Sequence, residues 1–520
     1  MKLITAQQAA ALLKDGDTIG VGGFGTYCNP DELYQAIARR YQEECHPVDL
    51  TLVAGICGGD NGKNDVGVNP LATPGLLKTV IAAHLANSPR MSELVGDNQV
   101  AGYTLPLGVV AHLLRAIAGK KPGVLTSVGL NTFADPRIEG CRANAKAEEQ
   151  GRNVVELVTI EGKEQLFYPA FPIDVCLIRG TYADEDGNIS IEHEALTGVE
   201  MEMAAAVHNS GGIVIVQVKD IVERGSIHPR RVRIHSSMVD YVVKAEPKNH
   251  LQCYATERDC LELCGEVRRP TGAIPPMPLN IRKVIARRGA MELRPDVVIN
   301  LGIGIPSGVG SVANEEGMAA RTILSLESGP IGGVPLEGGG FAGSVNPEAI
   351  NSLCDTFDFY DGGLLDMTFL GAAEIDREGN VNVSRFGKRC IGPGGFINIS
   401  QNTPKVCFMC AFTAGKSDIR VGGGEISIRR DGSGIKFVEK VQQITFSAEY
   451  ARQTGQQVLY ITERAVFQLS QEGLMLVEIA PGVDLQKDIL DRMDFTPQIS
   501  ADLRLMSSQL FEEEQMGLAI

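Results

Sequence analysis

The second half of this chain contains no histidine. All eight histidines of the 520 residues lie before residue 251. A Ser-His-Asp or Cys-His arrangement in that half would have to borrow its imidazole from the first half, and no G-x-S-x-G turn marks a serine nucleophile. No G-x-x-x-x-G-K-[ST] run is present, which removes the P-loop reading. No group of histidines, cysteines and carboxylates has zinc spacing, so no metal is expected. No apolar run approaches 18 residues, so no transmembrane helix is expected, and the N-terminus lacks the apolar core of a secretory leader. Instead, Thr5-Ala-Gln-Gln8 reads as a capping box before a helix ending near Lys14. Positive charge is also in short supply. The 48 Lys and Arg face 64 Asp and Glu, for a net charge of −16. A field of that sign opposes nucleic acid as the main partner, yet an anionic ligand is compatible with a locally basic site or with backbone N–H donors.

The twelve cysteines are spread through a chain long enough to need no staples. That usage points to reduced thiols and a cytoplasmic setting. Cys407 and Cys410 form the one Cys-x-x-Cys, inside an apolar run from Val406 to Phe412. In a strand, residues three apart face opposite sides, so the pair reads as core packing.

Glycine is the residue in excess. There are 59 in 520, about 11% against an average near 7%, and they cluster where apolar runs end. The length calls for at least two domains. Strand-like runs at 17–24, 49–55, 175–179 and 212–218 alternate with helical patterns over 31–43, 75–86 and 107–118, and residues 153–160 alternate like a hairpin arm. A helix over 281–291 leads into another strand that runs from 296 into glycines by 304. Strand alternating with helix implies mostly parallel sheets. Four prolines without periodicity mark 266–280 as a linker, which separates an N-terminal domain, 1–265, from a C-terminal domain, 281–520. The halves echo each other. Asp184-Glu-Asp-Gly-Asn188 recurs as Asp376-Arg-Glu-Gly-Asn380, and the opening at 17–24 recurs at 296–304. The fold class is therefore α/β: two related open α/β domains, the N-terminal copy larger by about 90 residues.

One stretch combines these features with a reactive group. Thr322 to Glu327 reads as a buried strand with the carboxylate of Glu327 at its end. A loop with Gly329, Gly332 and Gly333 follows. Ligands of open α/β sheets bind outside the carboxyl ends of strands, and glycine lets backbone approach them closely. A lone strand-end glutamate is ordinarily a cap or a surface residue. A carboxylate can also be a nucleophile, served by backbone N–H donors for the oxyanion it creates. Gly302 and Gly304 give G-x-G without the third glycine of a dinucleotide fingerprint.

Several ordered motifs then resemble one family over nearly the whole chain. They are Gly22-Gly-Phe24 with Pro30, Asn300-Leu-Gly-Ile-Gly-Ile-Pro306, Ser325-Leu-Glu-Ser-Gly329 with Gly332-Gly-Val-Pro335, and Asp361-Gly-Gly-Leu-Leu-Asp366. Phe369-Leu-Gly371, Gly392-Pro-Gly-Gly-Phe-Ile-Asn398, Phe446-Ser-Ala-Glu-Tyr450 and Ile479-Ala-Pro-Gly-Val-Asp484 complete the set. Together they resemble the family I coenzyme A transferases, in particular the fused single-chain acetate/propionate type. The resemblance implies that Glu327 is the nucleophile and passes through a γ-glutamyl-CoA thioester. It implies an oxyanion donor at Gly395, a second in Gly304–Ile305, and a CoA-binding surface that includes Gly302 and Gly394. It implies a substrate pocket near Gly23, Phe24 and Leu107. Arg385, Lys388 and Arg389 stand where they can meet CoA phosphates, although such a cluster is as readily a solvated basic face. No cofactor beyond the substrate coenzyme A is implied. The expected partners are acyl-CoA and small carboxylic acids, with no nucleic acid and no membrane, in a homo-oligomer, dimer or tetramer.

Two positions depart from the family pattern. Cys28 stands where relatives commonly have glycine. Leu107 stands where they usually carry a glutamine that contacts the substrate acid. A leucine donates no hydrogen bond, so the acyl pocket is expected to be more apolar; otherwise Leu107 is a core residue of its helix. Glu337 is a rival carboxylate without a matching motif. Two further activities suit the same scaffold: an acyl-CoA hydrolase, and a non-catalytic ligand-binding protein, which the intact glutamate and both glycine loops oppose.

Overall fold

The computed structural model describes residues 2–256, 258–270, 276–318 and 321–518. Residues 271–275 of the expected linker lie outside the described residues. The described residues fall into two compact units. One is Met1–Arg269 with Glu327–Asp358 and Arg385–Asn398. The other is Pro270–Leu326 with Phe359–Ser384 and Ile399–Ile520. The change of unit at Arg269 lies inside the stretch 266–280. Two segments of the C-terminal half, one of them beginning at Glu327, pack with the first unit.

The first unit is built on a row of eight strands: Lys2–Leu3, Tyr241–Lys244, Ile213–Val222, Val175–Asp184, Thr18–Val21, Leu50–Ile56, Leu77–His84 and Ala101–Thr104. Each neighbouring pair runs parallel. Parallel sheets are covered on both faces, which is why these strands read as nearly continuous apolar runs; Leu50–Ile56 is buried at every position. The strand order reverses direction between Thr18–Val21 and Val175–Asp184, the switch point at which open sheets leave a crevice.

The helix expected over 75–86 is a strand, Leu77–His84. Its two alanines and lysine suit a helix, but strands pair along both its edges, and Val80, Ile81, Ala82 and Ala83 are all buried. Tertiary burial outweighs a propensity difference of a few tenths of a kcal/mol per residue. The helix Leu107–Ala118 forms as expected, with Pro106 at its N-cap. It is buried on nearly every face, as an apolar helix must be. The first helix keeps the Thr5–Gln8 capping box but spans only Ala6–Ala10. The alternating arm near 153–160 is one strand of a hairpin, Glu156–Ile160 with Lys163–Pro169. Glu161 and Gly162 both take positive φ there, the pattern of a tight type I′ turn.

The second unit repeats the plan. Thr322–Ser325, Val297–Leu301, Met367–Gly371, Lys405–Met409 and Gln457–Ile461 lie side by side and parallel. Three further strands, Ala465–Ser470, Gly473–Ile479 and Gln498–Leu505, extend the row. The four-strand order Leu50–Ile56, Thr18–Val21, Val175–Asp184, Ile213–Val222 in one unit corresponds to Thr322–Ser325, Val297–Leu301, Met367–Gly371, Lys405–Met409 in the other. The repeated Asp-x-x-Gly-Asn turns match atom for atom. The Asp184 Oδ2 accepts from the Asn188 side chain at 3.0 Å, and Asp376 Oδ2 accepts from Asn380 at 3.1 Å. The added length of the first copy comprises the strands Leu77–His84 and Ala101–Thr104, their helices, and a small antiparallel sheet of Gly123–Thr126, Lys163–Pro169 and Glu156–Ile160. Cys407 and Cys410 are buried, and all twelve cysteines are free.

Candidate active site

The strand leading to Glu327 ends at Ser325, so Glu327 sits in the turn beyond it rather than at the last strand position. Asn300 holds this end of the chain. Its buried amide donates to the Ser325 carbonyl at 3.2 Å and to the Tyr360 hydroxyl at 3.3 Å, and its Oδ1 accepts from Thr368 at 3.3 Å. The Tyr360 and Ser325 hydroxyls are 2.7 Å apart. One side chain thereby ties three adjacent strands together.

Beyond Glu327 the chain is pinned at close intervals. The Ser328 hydroxyl donates to the Ala342 carbonyl at 2.6 Å. The Asn351 amide donates to Gly329 at 3.0 Å. Pro330 and Ile331 pair with Ile350 and Ala349, and Val334 and Pro335 with Val345 and Ser344. The glycines expected to cradle a ligand here first serve to let these strands close. A Cβ on Gly329 would stand 2.3 Å from the Asn351 carbonyl oxygen.

The glycine loop at 392–395 faces Glu327 from the same unit. It is fastened to the carboxyl end of the strand Leu77–His84 and to a helix start. Leu85 donates to Ile391 at 2.7 Å, Gly394 to Ala83 at 2.9 Å, and Leu107 to Gly394 at 2.9 Å. The Gly108 amide donates to Asn398 Oδ1 at 3.1 Å. Two of the N–H groups that a helix start leaves open are thus spent on holding this loop. The amide of Gly395, next in line, donates to the Glu327 carboxylate. A Cβ on Gly395 would stand 2.1 Å from Glu327 Oε2 and 3.0 Å from Cζ of the buried Phe357. Only glycine lets the backbone come so close.

Glu327 retains some exposed surface, but protein surrounds its carboxyl group. Desolvation raises the carboxyl from 4.5 to about 7, and the Gly395 hydrogen bond pulls the other way. A carboxyl poised near neutrality with a backbone donor on it is suited to attack an electrophilic carbonyl and to share charge with an oxyanion. Glu337 is exposed.

The remaining expected residues fall into several places. Gly394 uses both its amide and its carbonyl to hold the loop. Leu107 is fully buried, and its Cδ1 lies 3.2 Å from where a Cβ on Gly55 would stand, beside Leu353. Phe24 is buried and bridges to Ile56 and Tyr27. Gly23 has φ +93, and a Cβ there would strike Asn29 Oδ1 at 2.5 Å. Cys28 takes φ 56, the left-handed region that favours glycine, and its thiol is buried. Arg385 pairs with Glu139 at 3.4 Å and lines a cavity of about 580 Å³ with Arg142, Asn144 and Glu148. Lys388 and Arg389 are exposed. In the second unit, the Gly302 amide is taken by the Phe369 carbonyl at 2.8 Å. The amides of Gly304 and Ile305 meet no acceptor among the described residues.

Sequence reasoning missed Asn300, Phe357 and His84. His84 ends the strand Leu77–His84, and its Cδ2 lies 3.9 Å from where a Cβ on Gly394 would stand. The misread helix at 75–86 hid it, because strand ends are where site residues gather. Among the described residues no group of His, Cys, Asp and Glu is arranged to hold a metal ion, and no helix is long and apolar enough to cross a membrane.

The sequence model of the family described as Coenzyme A transferase matches residues 3–245. The caffeate CoA-transferase of Acetobacterium woodii is 45% identical over 524 residues, which span 99% of this chain and 98% of that protein. The acetate CoA-transferase YdiF of Escherichia coli K12 is 40% identical over 519 residues, 100% of this chain and 96% of that protein. A crystal structure of the acyl-CoA transferase YdiF from Escherichia coli O157:H7, a thioester complex with CoA, superposes with a TM-score of 0.93 at 39% identity, covering 100% of this chain and 98% of that one.

Proposed function

The chain belongs to the coenzyme A transferase family, and from that premise we propose that it moves CoA between a short-chain acyl-CoA and a free carboxylic acid through a γ-glutamyl-CoA thioester on Glu327. The observation that carries this reading is the close approach of the Gly395 amide to a carboxyl group that burial has brought to about 7. The chemistry needs no other group. The Glu327 carboxylate attacks the acyl-CoA carbonyl and expels CoA thiolate, leaving an acyl-glutamyl anhydride. The thiolate attacks the glutamyl carbonyl of that anhydride and releases the first acid as its carboxylate. An incoming carboxylate attacks the thioester, frees the thiolate again and forms a new anhydride. The thiolate then takes the new acyl group and regenerates Glu327. Every bond made is matched by one broken, and no proton is transferred.

The Gly395 N–H is the donor that meets the oxyanion formed on the glutamyl carbon, an interaction worth on the order of 10²–10³ in rate. Gly304 and Ile305 stay the second donor that the family resemblance implies, and their amides meet no acceptor among the described residues. It requires no cofactor beyond the substrate CoA. For the acid, the thioester-bearing relative supports the route, and the names of the relatives point to carboxylic acids from acetate to caffeate. Leu107 favours an acyl pocket of apolar character, suited to propionate or butyrate over acetate. A homo-oligomer, dimer or tetramer, is part of the same proposal and rests on the general prevalence of symmetric oligomers.

The test mixes enzyme, butyryl-CoA and excess acetate and follows both acyl-CoA species together with free thiol. Transfer produces acetyl-CoA with no net thiol release. Thiol release without acetyl-CoA would mean hydrolysis and would end this reading.

A further inference from the structure

The buried ring of Phe357 has no part in the route above, yet it lies against the reacting pair. Phe357 belongs to the helix Leu353–Asp361. That helix is clamped along the helix Leu107–Ala118 by residues at three- and four-residue spacing, which share one helix face. The Cys354 thiol donates to the Ala111 carbonyl at 3.2 Å. His112 Nε2 lies 2.9 Å from Asp358, and Arg115 pairs with Asp355 at 2.9 Å and with Asp358 at 2.7 Å. One turn before Ala111 stands Gly108. A Cβ there would lie 2.7 Å from Phe357 Cδ1 and 2.4 Å from Asn398 Nδ2. Glycine at this helix start therefore leaves room for the ring.

The far end of the ring reaches Glu327. A Cβ on Gly395 would stand 3.0 Å from Phe357 Cζ and 2.1 Å from Glu327 Oε2, so ring end and carboxyl oxygen are no farther apart than the sum of those distances. The Gly395 amide donates to the same carboxyl. Phe357 has no exposed surface, whereas Glu327 keeps some. The ring thus lies on the buried side of the carboxyl, away from the side by which a substrate enters. Its apolar end contributes to the desolvation that raises the carboxyl from 4.5 to about 7. It also fills space that water could otherwise take. An apolar hollow stays dry, but one bordered by polar groups takes up water. A hollow here would be bordered by Glu327 Oε2 at one end and Asn398 Nδ2 at the other.

We infer that Phe357 is a specificity-determining residue that keeps water from the γ-glutamyl-CoA thioester on Glu327, so that the thioester is opened by a carboxylate. This rests on the transfer reading given above. The reaction held off is hydrolysis. Water adds to the glutamyl carbonyl, the carbon–sulfur bond breaks, CoA leaves as the free thiol, and Glu327 returns as a carboxylate with the release of one proton. The Gly395 N–H serves the oxyanion of this addition as well as that of carboxylate attack. The donor does not choose between the two nucleophiles; access to the carbonyl does.

The test incubates wild type, Phe357→Leu and Phe357→Met with butyryl-CoA and excess acetate and measures free thiol and acetyl-CoA in the same samples. Leucine keeps the carbons that face Gly108 and lacks the ring end that faces Gly395. Methionine, unbranched and adaptable, reaches about as far as the ring. Phe357→Leu is expected to raise the ratio of thiol released to acetyl-CoA formed on the order of tenfold, the gain from holding one water in place. It should also move the inflection of kcat/KM against pH from about 7 toward 4.5, because the carboxyl regains water on that side. Phe357→Met should stay near wild type in both readouts. Phe357→Ile, which stops equally short of Gly395, takes the place of the leucine variant if that protein fails to fold. A shortened variant that loses transfer while keeping the wild-type ratio and inflection is what a merely structural residue gives, and it would overturn the inference. So would the same rise in ratio for leucine and methionine. A wild-type enzyme that releases thiol and forms no acetyl-CoA would overturn the transfer reading beneath it, whatever the variants do.

Discussion

Glu327→Gln separates the charge of this side chain from its shape. In the folded protein the carboxyl has been raised from 4.5 to about 7 by burial. The carboxylate is the attacking form, so kcat/KM for acyl-CoA should fall about tenfold for each pH unit below 7 and level off above it. The same displacement has a stability consequence. Because the folded state holds this proton more tightly than the unfolded chain, stability is greatest below 4.5 and declines as pH rises to about 7. At roughly 1.36 kcal/mol per pH unit the decline amounts to at most about 3 kcal/mol, and contact of the residue with water reduces it. Glutamine does not titrate. The variant should therefore be inactive at every pH, similar to wild type in stability near pH 4.5, and more stable than wild type by about 2–3 kcal/mol at pH 8. Urea denaturation of both proteins at pH 4.5, 6 and 8 reads this directly. A stability difference that is the same at all three pH values, or a kcat/KM profile flat through pH 7, would refute the reasoning.

Gly395→Ala places a methyl group 2.1 Å from the Oε2 position of Glu327, and the carboxyl must turn away from its donor; steady-state kinetics should show kcat lowered on the order of 10²–10³. Leu107→Gln should shift the acid preference toward acetate by about tenfold in the ratio of kcat/KM for acetate to that for butyrate, and an unchanged ratio would leave Leu107 as packing alone. Asn300→Ala removes the amide that joins three adjacent strands and should cost about 1–3 kcal/mol in urea denaturation.

Much of the site could be read in the sequence because its parts are local. The run into glycines at 17–24 and 296–304, the strand before Glu327 and the loop at 392–395 each carry their signal within a few residues. The repeated Asp-x-x-Gly-Asn turn was legible for the same reason: one aspartate accepts the hydrogen bonds of its own turn. What was hidden depends on distant contacts. The segment 75–86 looks helical until two flanking strands pair along both its edges, and with that error His84 moved from a strand end to the middle of a helix. Leu107 raised a question about substrate that only its burial against Gly55 and Leu353 could frame. Nothing in the local sequence signals that Glu327–Asp358 and Arg385–Asn398 pack with the first unit, the arrangement that brings Gly395 to Glu327.

The central claim is a covalent bond between CoA and Glu327. The enzyme is incubated with acyl-CoA alone, without acceptor acid, and its intact mass and peptide map are recorded, with hydroxylamine used to convert any thioester to a stable hydroxamate. The account predicts a mass gain of one CoA on the peptide that contains Glu327, its conversion to the glutamyl hydroxamate, and its absence from Glu327→Ala. An adduct that persists in Glu327→Ala, or that maps to another residue, would contradict it.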